Sequence, residues 1–231
     1  MNDINPLDFK DFLFVTEVGS RMWGMADVSS DHDMFCCYLT PASEYLRTGN
    51  FHPNRPSKTG VMVDGAEYDF QYMEIGHLVG LLKKGNVNAI WAVCSGIVHK
   101  ESPILTQLKF ITRSQMSKAT YHSIEGMAIS QMGDAIKAEK IPDEKLAAKK
   151  WMTAMRTLEF GDTLFRGGGV SFSSVRCEVS KSDLNKSFER FKDAYATTRL
   201  KDTPNSISFE DFLKNVRLKE ILSHAEVGVE I

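Results

Sequence analysis

Cysteine is scarce in this chain. It occurs at Cys36, Cys37, Cys94 and Cys177, with no CxxC spacing and no histidine pair at ligand distance. That pattern points away from a zinc site and from a disulfide framework, and the thiols read as free and mostly buried. Long apolar runs are missing too: none approaches the roughly 18–20 residues that span a bilayer. The opening MNDINPLDFKDF is acidic and polar rather than a charged-then-apolar leader, so the expectation is a cytoplasmic protein with no membrane partner. Nor is there a strong excess of one charge. The formal net charge is −2 over 231 residues, which gives no electrostatic footprint for nucleic acid. The distribution is slightly uneven. Residues 1–100 carry 8 Lys+Arg against 12 Asp+Glu, and residues 101–231 carry 20 against 18. An acidic metal-binding half beside a half that receives phosphates is compatible with that asymmetry. Internal repeats and low-complexity tails are also absent.

What is present is an ordinary globular composition, 42% hydrophobic and 25% charged, patterned differently in its two halves. Phe12–Val15 and Met34–Leu39 are short apolar runs and read as strands. An Arg21–Ala26 segment is compatible with helix. Residues 48–60 are rich in Gly, Pro and Asn and read as a loop. Val61–Val63 and Glu67–Phe70 read as a strand region, joined by a hairpin across Asp64-Gly65. From Met73 the period turns helical, through Ile75, Leu78, Val79, Leu81 and Leu82. This helix ends at Lys83-Lys84-Gly85-Asn86, where Gly85 suits a left-handed cap. Another helix is expected from Asn88. The second half reads as helices over 103–118 and 119–140, from Pro142 to about Phe160, from Ser182-Asp183 to about Thr197, and over Ser208–His224. The last is amphipathic through Phe209, Phe212, Leu213, Val216 and Ile221. Gly167–Gly169 reads as a flexible loop, Val170–Val179 has β character, and the methionines at 127, 132, 152 and 155 read as core filling. His77, His99 and His224 are isolated and are taken as surface or satisfied histidines. The fold class expected is α+β. A mixed sheet with flanking helices over residues 1–110 is followed by a mostly helical region, 111–231, that closes a cleft.

The segment EVGSRMWGMADVSSDHDMF, Glu17–Phe35, carries the chemistry. Nucleotidyl transfer needs two divalent cations roughly 3.5–4 Å apart, and magnesium favours carboxylate oxygens. Asp31 and Asp33 at i and i+2 on a strand share a face and can share a metal pair. A third carboxylate must come from a neighbouring strand. Asp69 is the candidate, its flanking aromatics packing on the opposite face, with Glu67 and Asp64 as rivals. A triphosphate also needs N–H donors, which Gly19-Ser20 offers at a strand-to-helix turn. On the later helix, Lys149, Thr153 and Arg156 are spaced i, i+4, i+7 and share one face.

The order strand, Gly-Ser, ten residues, Asp-x-Asp, strand, then a later strand aspartate resembles the DNA polymerase β-type nucleotidyltransferase superfamily. GSRMWGMADVSSDHD resembles the Gly-Ser-Arg-x-Trp-Gly…Ser-Asp-x-Asp motif of one branch, the RlaP-like or YcgL-like nucleotidyltransferases associated with RNA repair. LLKKGNVNAI resembles that branch's Lys-Gly-Asn segment, and KKWMTAMRTL its Lys…Arg helix. The resemblance spans roughly residues 12–165. It implies a Mg²⁺-dependent (or Mn²⁺-dependent) enzyme using two ions. Asp31, Asp33 and Asp69 would be metal ligands and catalytic residues. Gly19, Ser20, Arg21, Lys149 and Arg156 would bind the nucleotide, Arg21 either on phosphate or as a brace for its loop. Trp23 and Gly24 belong to the signature without a role.

The chain departs from the branch pattern at His32, Phe35, Thr153, Val87 and Trp91. None of these removes a carboxylate. The reaction implied moves a nucleoside monophosphate from an NTP to a hydroxyl on an RNA end, a protein or a small molecule, with release of pyrophosphate. The alternative is a catalytically silent nucleotide-binding or antitoxin-like regulatory module of the same fold. The NTP used, the acceptor and the oligomeric state are not written in the sequence.

Overall fold

A computed structural model describes residues 7–48, 55–141, 144–172 and 179–227. The first strand, β1 (Phe14–Glu17), is buried along its length. It starts two residues later than the apolar run suggested, because pairing on both edges, rather than hydrophobicity, sets its limits. On one side β2 (His32–Tyr38) runs antiparallel, with Phe14 opposite Cys37 and Thr16 opposite Phe35. On the other lies β5 (Val98–Lys100), three residues long and too short for periodicity to reveal. The hairpin of β3 (Lys58–Val63) and β4 (Ala66–Glu74) turns at Asp64-Gly65 as expected. Both turn residues have positive φ, 50° and 83°, which suits the right-handed twist of the strands they join. The order is β3-β4-β2-β1-β5. β2 and β4 are parallel, with Asp33 beside Asp69.

The connections are helical. α1 is a single turn, Gly19–Met22, shorter than the Arg21–Ala26 segment expected. α2 (Ala42–Thr48) follows Pro41 where no helix was anticipated; residues 49–54 of the expected loop lie outside the described residues. Glu74 caps α3 (Ile75–Lys83) and Asn86 caps α4 (Val87–Cys94), which therefore begins earlier than Asn88. Between them Gly85 has φ 68° and packs so close to Ala119 and Thr120 that a Cβ would strike their backbone.

α5 (Pro103–Ser114), α6 (Thr120–Ala138) and α7 (Glu144–Thr163) make up the start of the helical half. Pro142 lies outside the described residues. α7 runs into a π-type turn, Leu164–Gly168, where Gly167 has φ 89°. Residues 170–172 form no strand and 173–178 are outside the described residues. α8 (Lys181–Thr197) is capped by Ser180 rather than by Ser182-Asp183, its hydroxyl accepting from the Asp183 N–H. α9 (Ser206–Val227) returns to pack on α3 and α5. It buries Phe209, Phe212 and Val216, whereas Ile221 is 48% exposed. Positions 110 and 111 fall within α5.

The sheet has a core on each face, as period-2 alternation requires. Phe14, Phe35 and Cys37 face the helices. Val15, Met34, Cys36 and Phe70 face the other way, beneath Leu7, Phe9 and Phe12 and beside Tyr68 and Tyr72. Cys36, Cys37 and Cys94 are free and buried, as expected; Cys177 is outside the described residues. No helix among the described residues is long and apolar enough to cross a membrane.

Candidate active site

The site forms where β1 ends. Gly19 has φ 65°, and a Cβ there would run into the Asp33 carboxylate. Glycine thus lets the turn pass directly over that acid. The Val18 N–H donates to Asp33 O at 2.8 Å, pinning turn to strand. Ser20 Oγ is buried with no hydrogen-bond partner among the described residues and lies on the cleft wall. With α1 only one turn long, its dipole adds little, so the donors available here are local.

The ten residues to Asp31 fold back as a compact loop. Gly24, with φ 65°, donates its N–H to Arg21 O, and Met25 N–H reaches Ser20 O. Asp27 accepts from the Ser29 N–H at 2.9 Å and from the Ser29 and Ser30 hydroxyls at 2.7 and 3.1 Å. These bonds hold its carboxyl below its ordinary value. Arg21 is engaged with the same loop. Its Nη2 donates to Ser30 O at 2.8 Å and its Nε to Asp31 O at 3.2 Å. Of the two roles open to Arg21 in the sequence, this is the geometry of a brace.

Asp31, Asp33 and Asp69 converge, each offering one oxygen within 4.8 Å of the others. Asp33 and Asp69 are side by side in the parallel register, and Asp31 stands just before β2. Asp69 also accepts the Gly60 N–H at 2.8 Å through Oδ1. Tyr68 and Phe70 pack on the far face. Burial first, then the charges of Asp31 and Asp69, pushes the Asp33 carboxyl above its ordinary value, with Lys149 pulling the other way. Three hard oxygen donors whose mutual repulsion is poorly offset fit a divalent cation. Glu67, one pleat along from Asp69, lines the cleft.

The opposite wall is α7. Lys149, Met152, Thr153 and Arg156 line a cleft of about 470 Å³ together with Gly19, Ser20, Asp31 and Asp33. Met152 therefore faces the cleft, unlike the core methionine expected. The Arg156 guanidinium lies 5.4 Å from the Trp23 ring centre, and its Nη1 is 3.8 Å from Met25 Sδ. Its Nε is buried with no partner among the described residues. Burial brings its pKa down to about 10, against the pull of Asp33. Trp23 is itself packed edge-on against Trp91, Phe160 and Phe172, so the signature tryptophan is the floor beneath Arg156. Trp91, Val87 and Phe35, three of the departures, are core residues.

His32, between two triad acids, points to the sheet's other face. It stacks on Tyr68 with ring centres 4.5 Å apart, and its Nδ1 is 2.8 Å from Glu17 Oε1. Glu17 is 3% exposed and also meets His99 Nε2 at 2.8 Å and Arg21 Nε at 3.3 Å. Sequence reading passed over Glu17, because a lone acid in an apolar run signals nothing until its partners, the farthest 82 residues away, are in place.

A Gly-Ser turn, two strand aspartates with a third just before β2, and a basic helix meet at one cleft, the arrangement expected of a nucleotidyltransferase. The match to known families agrees. Residues 6–221 match the RNA repair pathway DNA polymerase beta family, and the chain belongs to it. Among solved structures, a nucleotidyltransferase-like protein from Exiguobacterium sibiricum 255-15 is similar at 11% identity and a TM-score of 0.35, over 91% of this chain and 75% of that one. No curated protein matches the chain.

Proposed function

We propose that the chain is a divalent-metal-dependent nucleotidyltransferase that moves a nucleoside monophosphate from an NTP to a hydroxyl acceptor and releases pyrophosphate. The observation that carries this reading is the convergence of Asp31, Asp33 and Asp69 on a cleft whose other walls hold Ser20 Oγ and Arg156 Nε, both without a partner among the described residues. The three aspartates would hold Mg²⁺ or Mn²⁺, two ions in this reading, which when bound lower the charge repulsion between acceptor oxygen and phosphate. Ser20 Oγ donates to a phosphate oxygen. Lys149 and Arg156 neutralise the tail that leaves as pyrophosphate, a task suited to side chains two turns apart on one face of a rigid helix. Gly19 keeps the turn close enough for its backbone to approach the phosphates, and Arg21 holds the loop that carries Asp31. In the transfer, the acceptor oxygen bonds to Pα, the Pα–O bond to the β-phosphate breaks, and the acceptor's proton passes to the Asp69 carboxylate. The acceptor is an RNA end, a protein side chain or a small molecule.

The test is transfer of label from α-³²P NTPs with Mg²⁺ or Mn²⁺ to RNA, protein and metabolite pools. Wild type should label one pool, and Asp31→Ala and Asp33→Ala should not. Metal-dependent NTP binding by calorimetry without label transfer to any pool would instead make the chain a silent nucleotide-binding module.

A further inference from the structure

The three aspartates repel one another, yet their oxygens must stay within reach of a shared cation. Their own side chains supply little restraint: of the hydrogen bonds described above, only the Gly60 N–H on Asp69 holds a triad carboxylate. The restraint on Asp31 comes through the backbone, from Arg21 on the Ser30 and Asp31 carbonyls. Arg21 in turn is anchored by Glu17 Oε1, the same oxygen that takes His32 Nδ1, while Oε2 takes His99 Nε2. A carboxylate has only acceptors, so both imidazole nitrogens facing it donate. Glu17 is locked by its backbone as well: its N–H donates to Ile97 O at 3.0 Å, and its carbonyl accepts from Ser95 Oγ at 2.6 Å.

We infer that Glu17 is a positioning residue for the metal-binding carboxylates, acting through Arg21 on the Ser30 and Asp31 carbonyls and directly on His32, the residue between Asp31 and Asp33. This rests on the metal-binding reading above. Glu17 touches neither cation nor nucleotide. It sets the backbone from which two of the three ligands project. Partners bonded directly to metal ligands change affinity by about 10–100-fold when altered, and an effect at the lower end of that range is expected for Glu17. A merely structural ion pair would change stability and leave affinity alone.

Direct Mn²⁺ binding to the full chain, followed by electron paramagnetic resonance without nucleotide, separates the two. Glu17→Gln should weaken Mn²⁺ binding about tenfold or more, and Arg21→Ala should do the same. The double variant should be little worse than Glu17→Gln alone, since Arg21 acts downstream of Glu17. His99→Gln, which leaves Oε1 and Arg21 in place, should have a smaller effect. If Glu17→Gln does not fold, Arg21→Ala carries the test, its side chain being partly exposed. Wild-type Mn²⁺ affinity in Arg21→Ala, or in a folded Glu17→Gln, overturns the positioning role alone. No Mn²⁺ binding by wild type overturns the functional reading and the positioning role with it.

Discussion

Two carboxylate environments, the triad and the lone Glu17, meet where β1 ends and β2 begins, on opposite faces of one sheet. On the helix side Asp31, Asp33 and Asp69 face one another across less than 4.8 Å. On the other side Glu17 is saturated by Arg21, His32 and His99. Glu17 is the more deeply buried, so burial is not what separates them. The difference is partnership. A buried carboxylate with its donors in place is architecture, whereas clustered carboxylates with few donors repel one another and suit a shared cation. Glu74 extends the first category. It accepts from Arg217 at 2.7 Å and from the Gly76 and His77 N–H groups that it caps.

The contrast breaks most visibly at the triad. Asp31→Ala or Asp33→Ala should lower nucleotidyl transfer on the order of 10³-fold or more, about 4 kcal/mol of barrier, with the fold intact by circular dichroism. Arg156→Ala should cost roughly 10²-fold in kcat/KM. Arg156→Lys should recover only part of it, because an ammonium does not reproduce the planar fork over Trp23. Arg217→Ala removes a partner from a saturated acid. It should destabilise the chain by about 2 kcal/mol, read as a lower Tm, and leave Mn²⁺ affinity unchanged.

The smallest effect sharpens the comparison best. The Asp33 carboxyl titrates higher in the folded chain than in the unfolded one, so the folded state binds that proton more tightly. Its cost to stability is absent below the unfolded pKa and grows as pH rises through the raised folded one. Asp33→Asn should therefore raise the Tm of the metal-free protein at pH 7. The gain should shrink as pH falls through the raised pKa. Added Mn²⁺ should stabilise wild type and not the variant.

Much of this was legible in one dimension. The Gly-Ser turn, the Asp-x-Asp pair, the Asp64-Gly65 hairpin and the shared face of Lys149, Thr153 and Arg156 are all consequences of local geometry. Alternation also settles His32: with Asp31 and Asp33 facing the cleft, the residue between them must face away. The elements that were misjudged are those whose limits are set by distant contacts. β5 exists because β1 has a free edge, and β1 is displaced because that edge extends to Glu17. Ile221 fits the apolar stripe of α9, but Phe209, Phe212 and Val216 fill the contact with the body and Ile221 stays half exposed.

The sequence by itself determined the chemical types and their local phase: which acids share a face, where glycine permits a left-handed turn, and which helix positions are aligned. Tertiary structure alone decided that β2 and β4 pair in the parallel register that sets Asp33 beside Asp69, that α7 closes the cleft with Arg156 over Trp23, and that Glu17 gathers two histidines and an arginine from three segments. The reason is physical. Period and φ preference act over a few residues, whereas strand register and the satisfaction of a buried charge depend on groups that only folding brings within about 3 Å of each other.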